Sequence, residues 1–188
     1  MMKKYSLDNF LHRLDSHPVL KQHAVLKQYK KGVHIFSQGS VCKDVFCLHR
    51  GLLKLYYNTF KGKEWIKSFI ADQGIVGSRN SQLLDKPSTF SILCMEDCDI
   101  TSYPYEIFQQ TCTQDHELAQ AMFGFTQWLG LKKEVREYQL LCLSSEEAYS
   151  EFLDSNPKLS GRLTQIDMAR YLGITPIALS RIKKRIAR

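Results

Sequence analysis

The chain has 188 residues, of which 44% are hydrophobic and 24% charged, with a formal net charge of +7. That length holds one large domain or two small ones, and the composition supports a real hydrophobic core. No apolar run approaches the ~20 residues that span a bilayer. Residues 1–10 hold two lysines with no apolar signal core behind them, so no membrane partner is expected and cytoplasmic residence is the default.

Residues 5–27 read as one or two short helices. Leu7, Phe10, Leu11 and Leu14 recur at helical spacing, Ser6 is placed to cap, and Pro18 interrupts the run. From residue 30 to 105 the period changes. Short β-branched and aromatic stretches (33–36, 45–48, 52–57, 66–70, 91–93 and 100–103) alternate with Gly, Asp, Asn, Lys and Pro, and predict a small antiparallel barrel or jelly roll. Residues 106–140 return to helix. Leu118, Met122, Phe125 and Leu129 follow a 4-3-4 spacing that serves either a partner helix or the chain's own barrel, and Trp128, Leu131 and Val135 widen the stripe. Ser144 and Glu147 form a capping box that opens a further helix ending before Pro157.

Six cysteines, at 42, 47, 94, 98, 112 and 142, are too few and too spread for a secreted disulfide scaffold, and none makes a C-x2-C pair. Cys94 and Cys98, taken as one strand, share a face four residues apart. The six are read as ordinary buried thiols, with no metal site and no cofactor.

The segment from Leu163 to Ile182 has the marks of a helix-turn-helix. Ala169 supplies a small residue where two helices cross, and Gly173, four residues on, tolerates the positive φ of the turn. Met168, Leu172, Ile174, Leu179 and Ile182 supply apolar contacts, with Ile186 also expected inward. Thr164 with Asp167 caps the first helix, and Thr175 before Pro176 opens the second. On the second helix Ile177, Ser180, Arg181, Lys184 and Arg188 share the opposite face. Arg181 matches guanine O6 and N7, Ile177 a thymine methyl, and Ser180 a base or phosphate. Lys183, Lys184 and Arg185 suit phosphates. Residues 161–188 hold seven basic side chains and one acid, a net +6, whereas the preceding 160 hold 19 basic and 18 acidic. A neutral body with one basic end is the layout expected of a protein that meets a polyanion.

Barrel, long helix and terminal helix-turn-helix together resemble the Crp/Fnr superfamily of bacterial transcription regulators. The likeness rests on the Phe36-Ser-Gln-Gly39 and Leu48-His-Arg-Gly51 turns and on the string Tyr171-Leu-Gly-Ile-Thr-Pro-Ile-Ala-Leu-Ser-Arg181, which is especially similar to short Bacteroidetes-type members. It implies an α+β fold: an N-terminal antiparallel β-roll or jelly-roll sensor domain over 1–112, a long dimerisation helix over 113–140, and a C-terminal helix-turn-helix domain over 141–188 lacking a full wing. It also implies a homodimer on double-stranded DNA with a palindromic operator, contacted through Thr175, Ile177, Ser180, Arg181, Lys183, Lys184 and Arg185. RNA polymerase joins the candidate partners. The missing wing predicts weaker DNA affinity and heavier reliance on the basic residues of the second helix.

The resemblance places an effector pocket for a small molecule at Gly77, Ser78, Arg79, Ser88 and Thr89. Ser78 stands where cyclic-AMP binders carry glutamate and Ser88 where they carry the phosphate-gripping arginine, so cyclic AMP is not the expected ligand. Arg79 is either an anion ligand or a plain exposed arginine. With no cysteine before Cys42, the family's iron–sulfur mechanism is not expected. Two rival readings are a cupin-type metal enzyme and a ligand-sensing module whose helix-turn-helix binds protein. The former has only His34 and His49 in the barrel region, without an H-x-H pair.

Overall fold

The computed structural model describes residues 7–186, apart from the side chains of Asp8 and Asn9; the cap expected at Ser6 lies outside them. Helix α1 (Leu7–Ser16) buries Phe10, Leu11 and Leu14 along one stripe. Helix α2 (Pro18–His23) begins on Pro18, whose fixed φ suits a first helical position. Residues 25–27, expected to be helical, instead open strand β1 (Val25–Tyr29). Pairing to a neighbouring strand, a partner about 75 residues away, overrides the local pattern.

Strands β2 (His34–Phe36), β3 (Asp44–Arg50), β4 (Leu52–Asn58), β5 (Glu64–Ala71) and β6 (Gly74–Val76) follow. A short helix α3 (Arg79–Leu84) then precedes β7 (Ser91–Cys94) and β8 (Cys98–Pro104). Two four-stranded antiparallel sheets result, ordered β1-β8-β3-β6 and β2-β7-β4-β5. Between them Leu48, Leu53, Ile92, Cys94 and Ile100 are fully buried. Gly51, at φ +109°, makes the β3–β4 corner. A Cβ there would stand 2.6 Å from Cys98 Sγ and 2.7 Å from the Asp97 carbonyl oxygen, so both conformation and space demand glycine.

Cys94 and Cys98 end one strand and begin the next, in different sheets, rather than sharing one strand face; both pack in this core. The thiols at 47 and 112 are also buried, but Cys142 is exposed, contrary to expectation.

The region expected to be helical from 106 to 140 comprises two helices, α4 (Tyr105–Gln114) and α5 (His116–Cys142). Asp115 breaks them and caps the second by accepting from the Leu118 amide at 2.8 Å. With α1 and α2 they cover the outer face of the first sheet over Val45, Cys47 and Tyr103. The expected capping box opens α6 (Ser145–Ser155), followed by α7 (Pro157–Ser160), α8 (Gln165–Leu172) and α9 (Pro176–Ile186).

These last helices sit on the outer face of the second sheet. Leu52, Tyr56, Ile66 and Phe69 share one buried cluster with Phe152, Met168, Leu172 and Leu179. Covered on both faces, β4 reads Leu-Leu-Lys-Leu-Tyr, a near-continuous apolar run broken by one lysine.

Candidate nucleic-acid interface and interior cavity

Thr164 Oγ1 accepts from the Asp167 amide at 3.1 Å and closes the first turn of α8. Gly173 ends that helix at φ +77° with its N–H on the Ala169 carbonyl. Ala169 is wholly buried, where a larger side chain would push the two helices apart. Thr175 Oγ1 then caps α9 by accepting from the Ala178 amide at 3.1 Å.

Along α9, Leu179 and Ile182 are buried while Thr175, Ile177, Arg181, Lys183, Lys184 and Arg185 are exposed and Ser180 is half-buried. Ile186 is also exposed, at 47%, instead of pointing inward as expected, because the packed face of α9 ends at Ile182. Arg188 lies outside the described residues.

The basic charge of this unit divides in a way that counting along the sequence missed. Arg162 donates from Nε and a terminal nitrogen to both oxygens of Glu96, at 2.9 and 2.7 Å, and from the other terminal nitrogen to Asp72 at 2.7 Å. Arg170 reaches Glu64 at 2.9 Å, and Arg185 reaches Glu146 at 3.2 Å. Asp167, the one acid of residues 161–188, lies 3.4 Å from the buried ammonium of Lys54, which also meets Glu64 at 2.9 Å. Half of the expected polyanion-facing charge therefore ties the helix-turn-helix down. Arg181, Lys183 and Lys184 make no ion pair among the described residues.

The residues expected to line an effector pocket divide as well. Ser78 is buried and caps α3 by accepting from the Ser81 amide, so its oxygen already fills the helix N-terminus where a ligand anion would bind. Ser88 is buried and donates to the Phe90 carbonyl at 2.8 Å. Thr89 is exposed. The Gln82 side chain crosses over Gly77 to donate to the Asp44 carbonyl at 2.9 Å.

Only Gly77 and Arg79 of the five reach the wall of a cavity of about 550 Å³, which opens between β5, β6, α5 and residues 155–159. Its other cations were missed from sequence: Lys67 on β5, Lys132 and Lys133 on α5, and Lys158 on α7. Burial, and then the charge of Lys133, lowers the Lys67 ammonium to about 8. Lys132 and Lys133 are lowered too, first by crowding with protein atoms and then by neighbouring cations. A lysine inside the run Trp65-Ile-Lys-Ser-Phe-Ile70 was the available signal.

Helix α5 spends its expected seam on its own domain: Leu118 is buried, and Met122 and Phe125 pack beside it. Its exposed apolar residues include Phe123, Leu140 and Leu141 and, at a spacing of 3-4-3, Trp128, Leu131, Val135 and Tyr138. Its lower half is fastened to α8 by Arg136, which donates to the Tyr171 carbonyl and stands 3.9 Å from that ring.

The two barrel histidines are engaged in hydrogen bonds, His34 with the Tyr56 hydroxyl and His49 with Thr101 Oγ1, each at 2.7 Å. Among the described residues no helix is long and apolar enough to cross a membrane, and no group of three His, Cys, Asp or Glu could hold a metal ion.

Residues 26–115 match the cyclic nucleotide-binding domain family. No curated protein matches the sequence. Among solved structures, CooA from Carboxydothermus hydrogenoformans (a mutant) superposes with a TM-score of 0.78 at 17% identity, covering 95% of this chain and 84% of that one. The c-di-GMP responsive global regulator CLP of Xanthomonas campestris gives 0.76 at 14%, covering 96% and 91%. FixK2 from Bradyrhizobium japonicum gives 0.74 at 18%, covering 87% and 84%. Residues 26–115 thus resemble a cyclic nucleotide-binding domain, and the chain shares its fold with CooA, CLP and FixK2.

Proposed function

We propose that this chain is a homodimeric, sequence-specific DNA-binding transcription regulator, with residues 1–112 as sensor, 113–140 as dimerisation helix and 141–188 as DNA-binding unit. The carrying observation is the face of α9. Ile177, Arg181 and Lys184 stand exposed opposite the buried Leu179 and Ile182, on a helix set by a left-handed glycine turn. Arg181 reads a guanine in the major groove, Ile177 meets a thymine methyl, and Thr175 and Ser180 contact base or backbone. Lys183 and Lys184 bind phosphates, with Arg185 released to them only by giving up Glu146.

The Trp128–Leu131–Val135–Tyr138 stripe supports the dimer, since its 3-4-3 spacing is a two-helix seam left open on the outside of α5. Two copies about a two-fold axis would present α9 to successive half-sites of a palindrome. An effector acts by binding one dimer arrangement better than another.

The test is anisotropy titration of duplexes selected by the protein from a random pool. Arg181→Ala should cost about 1–3 kcal/mol per half-site and relax preference at one base pair in each, whereas Lys184→Ala should weaken all sequences alike and lower the salt slope of the dimer by about two. Unchanged affinity in Arg181→Ala would overturn the recognition face.

A further inference from the structure

The cavity beside α5 has an unusual electrostatic make-up. Its wall carries five cations, Lys67, Arg79, Lys132, Lys133 and Lys158, and no carboxylate. Elsewhere Lys54, Arg162 and Arg170 each find an acid. Lys67, Lys132 and Lys133 make no ion pair among the described residues. Two of them rest on aromatic faces instead: Lys67 Nζ stands 3.7 Å from the centre of the Phe90 ring and Lys132 Nζ 5.3 Å from that of Trp128.

Lys67 is half-buried and Lys132 and Lys133 are exposed, so it is the gathering of like charges without a counterion that raises the cost of the empty site, and an anion placed among them lowers it. The lowered Lys67, Lys132 and Lys133 ammoniums report the same crowding. The rest of the wall is mainly apolar, with Leu55, Phe69, Phe125, Trp128 and Leu129 beside a few neutral polar residues such as Gln73 and Asn156, and its volume suits a ligand of drug-like size. Ser78 and Gln82 close the helix N-terminus nearby, so an anion is directed to the lysines.

We propose that the cavity binds an amphipathic organic anion, its acid group held by Lys67, Lys132 and Lys133 and its aromatic or branched apolar body against Phe69, Phe125 and Trp128. The binding needs no DNA; only its consequence for DNA rests on the regulator reading. Because Ser155–Leu159 line the same cavity, a ligand there touches barrel, long helix and the helices that carry α9 at once.

The full chain is titrated with the fluorescent anion anilinonaphthalene sulfonate and, separately, with phenyl-naphthylamine, which has the same aromatic body without the acid group. Lys67→Met should weaken the sulfonate about tenfold, and Lys67→Met with Lys132→Met about a hundredfold, while the neutral dye shifts less than about twofold. Lys67→Arg should retain the sulfonate. Lys132→Met alone carries the test if Lys67→Met fails to fold.

Equal affinity for the two dyes, or sulfonate binding indifferent to these substitutions, overturns the proposal. Naphthoate and naphthyl phosphate as competitors then separate carboxylate from phosphate recognition, displacement by either supporting the site. DNA titrations run in parallel separate the two conclusions. DNA binding without sulfonate preference overturns the cavity assignment alone, whereas lysine-dependent sulfonate binding without DNA binding supports it and overturns the regulator reading.

Discussion

Replacing Arg162 by methionine should loosen the helix-turn-helix from the barrel without unfolding either. Arg162 lies just before α8, and its guanidinium takes both Glu96 oxygens, Asp72 and, at 3.2 Å, the Gly51 carbonyl at the β3–β4 corner. Side-chain exposure is 24% for Arg162, 39% for Glu96 and 56% for Asp72, so solvent screens the pairs in part. Fully exposed pairs contribute about 0–1 kcal/mol and buried charge-assisted bonds about 1.5–3 kcal/mol each. A bidentate, half-screened cluster sits between these limits, at about 2–3 kcal/mol in all, and methionine keeps most of the stem packing.

If docking opens locally, the α8 and α9 amides should exchange about 30- to 150-fold faster in native-state hydrogen exchange, with β3 and β8 little changed. Arg162 holds the Glu96 carboxyl below its ordinary value of 4.5. A depressed carboxylate stabilises the folded state above its unfolded value and loses that contribution as pH falls through the folded value. The gap between parent and variant should therefore be full at pH 7 and shrink steadily below about 4.5. Unaltered α8 exchange, or equal acceleration in β3 and β8, would refute the clamp.

Gly173→Ala should cost about 1–2 kcal/mol in denaturant unfolding, because φ is +77° while the nearest atom to an added Cβ, Leu140 Cδ2, is at a comfortable 3.7 Å; no loss would mean the turn relaxes. Lys67, lowered to about 8 in the fold from an ordinary 10.5, binds fewer protons folded than unfolded between those values. Stability should thus rise across that window by at most about 3 kcal/mol, and Lys67→Met should lose this part of the pH profile in parallel melts. Leu131→Glu with Val135→Glu should convert dimer to monomer in sedimentation, and an unchanged mass would remove the α5 stripe as the contact.

What could be read in advance was short-range. The Thr164 and Thr175 caps, the Gly173 turn and the Ser144–Glu147 box each depend on residues within four positions, and all lie where spacing put them. The strands of β3, β4 and β5 were also legible, because apolar runs between turn residues leave few alternatives. Strands β1 and β6 were not: β1 is largely exposed and β6 has three residues, so each owes its form to a distant partner.

Helix α5 misled because its apolar residues run nearly all round. Periodicity alone did not separate Leu118, Met122 and Phe125, which cover the chain's own core, from Trp128, Leu131 and Val135, which do not. The ion pairs Lys54–Asp167 and Arg162–Glu96 join residues 113 and 66 positions apart, the lysine-walled cavity likewise joins distant segments, and local pattern holds no record of them.

That redistribution of charge changes what the basic end can do. All seven basic residues from 161 to 188, placed on phosphates in a dimer, would give a salt slope of about −13. Arg162, Arg170 and Arg185 are instead neutralised by Glu96, Asp72, Glu64 and Glu146. The described cations left on α9 are Arg181, Lys183 and Lys184, six in a dimer, which limits the slope to about −5, with Arg188 adding at most about two units. A slope near −13 would require the three arginines to leave their carboxylates on binding, and DNA would then compete directly with docking of the helix-turn-helix on the barrel. A slope near −5 leaves the docked arrangement intact on DNA, with specificity resting on Arg181 and its immediate neighbours.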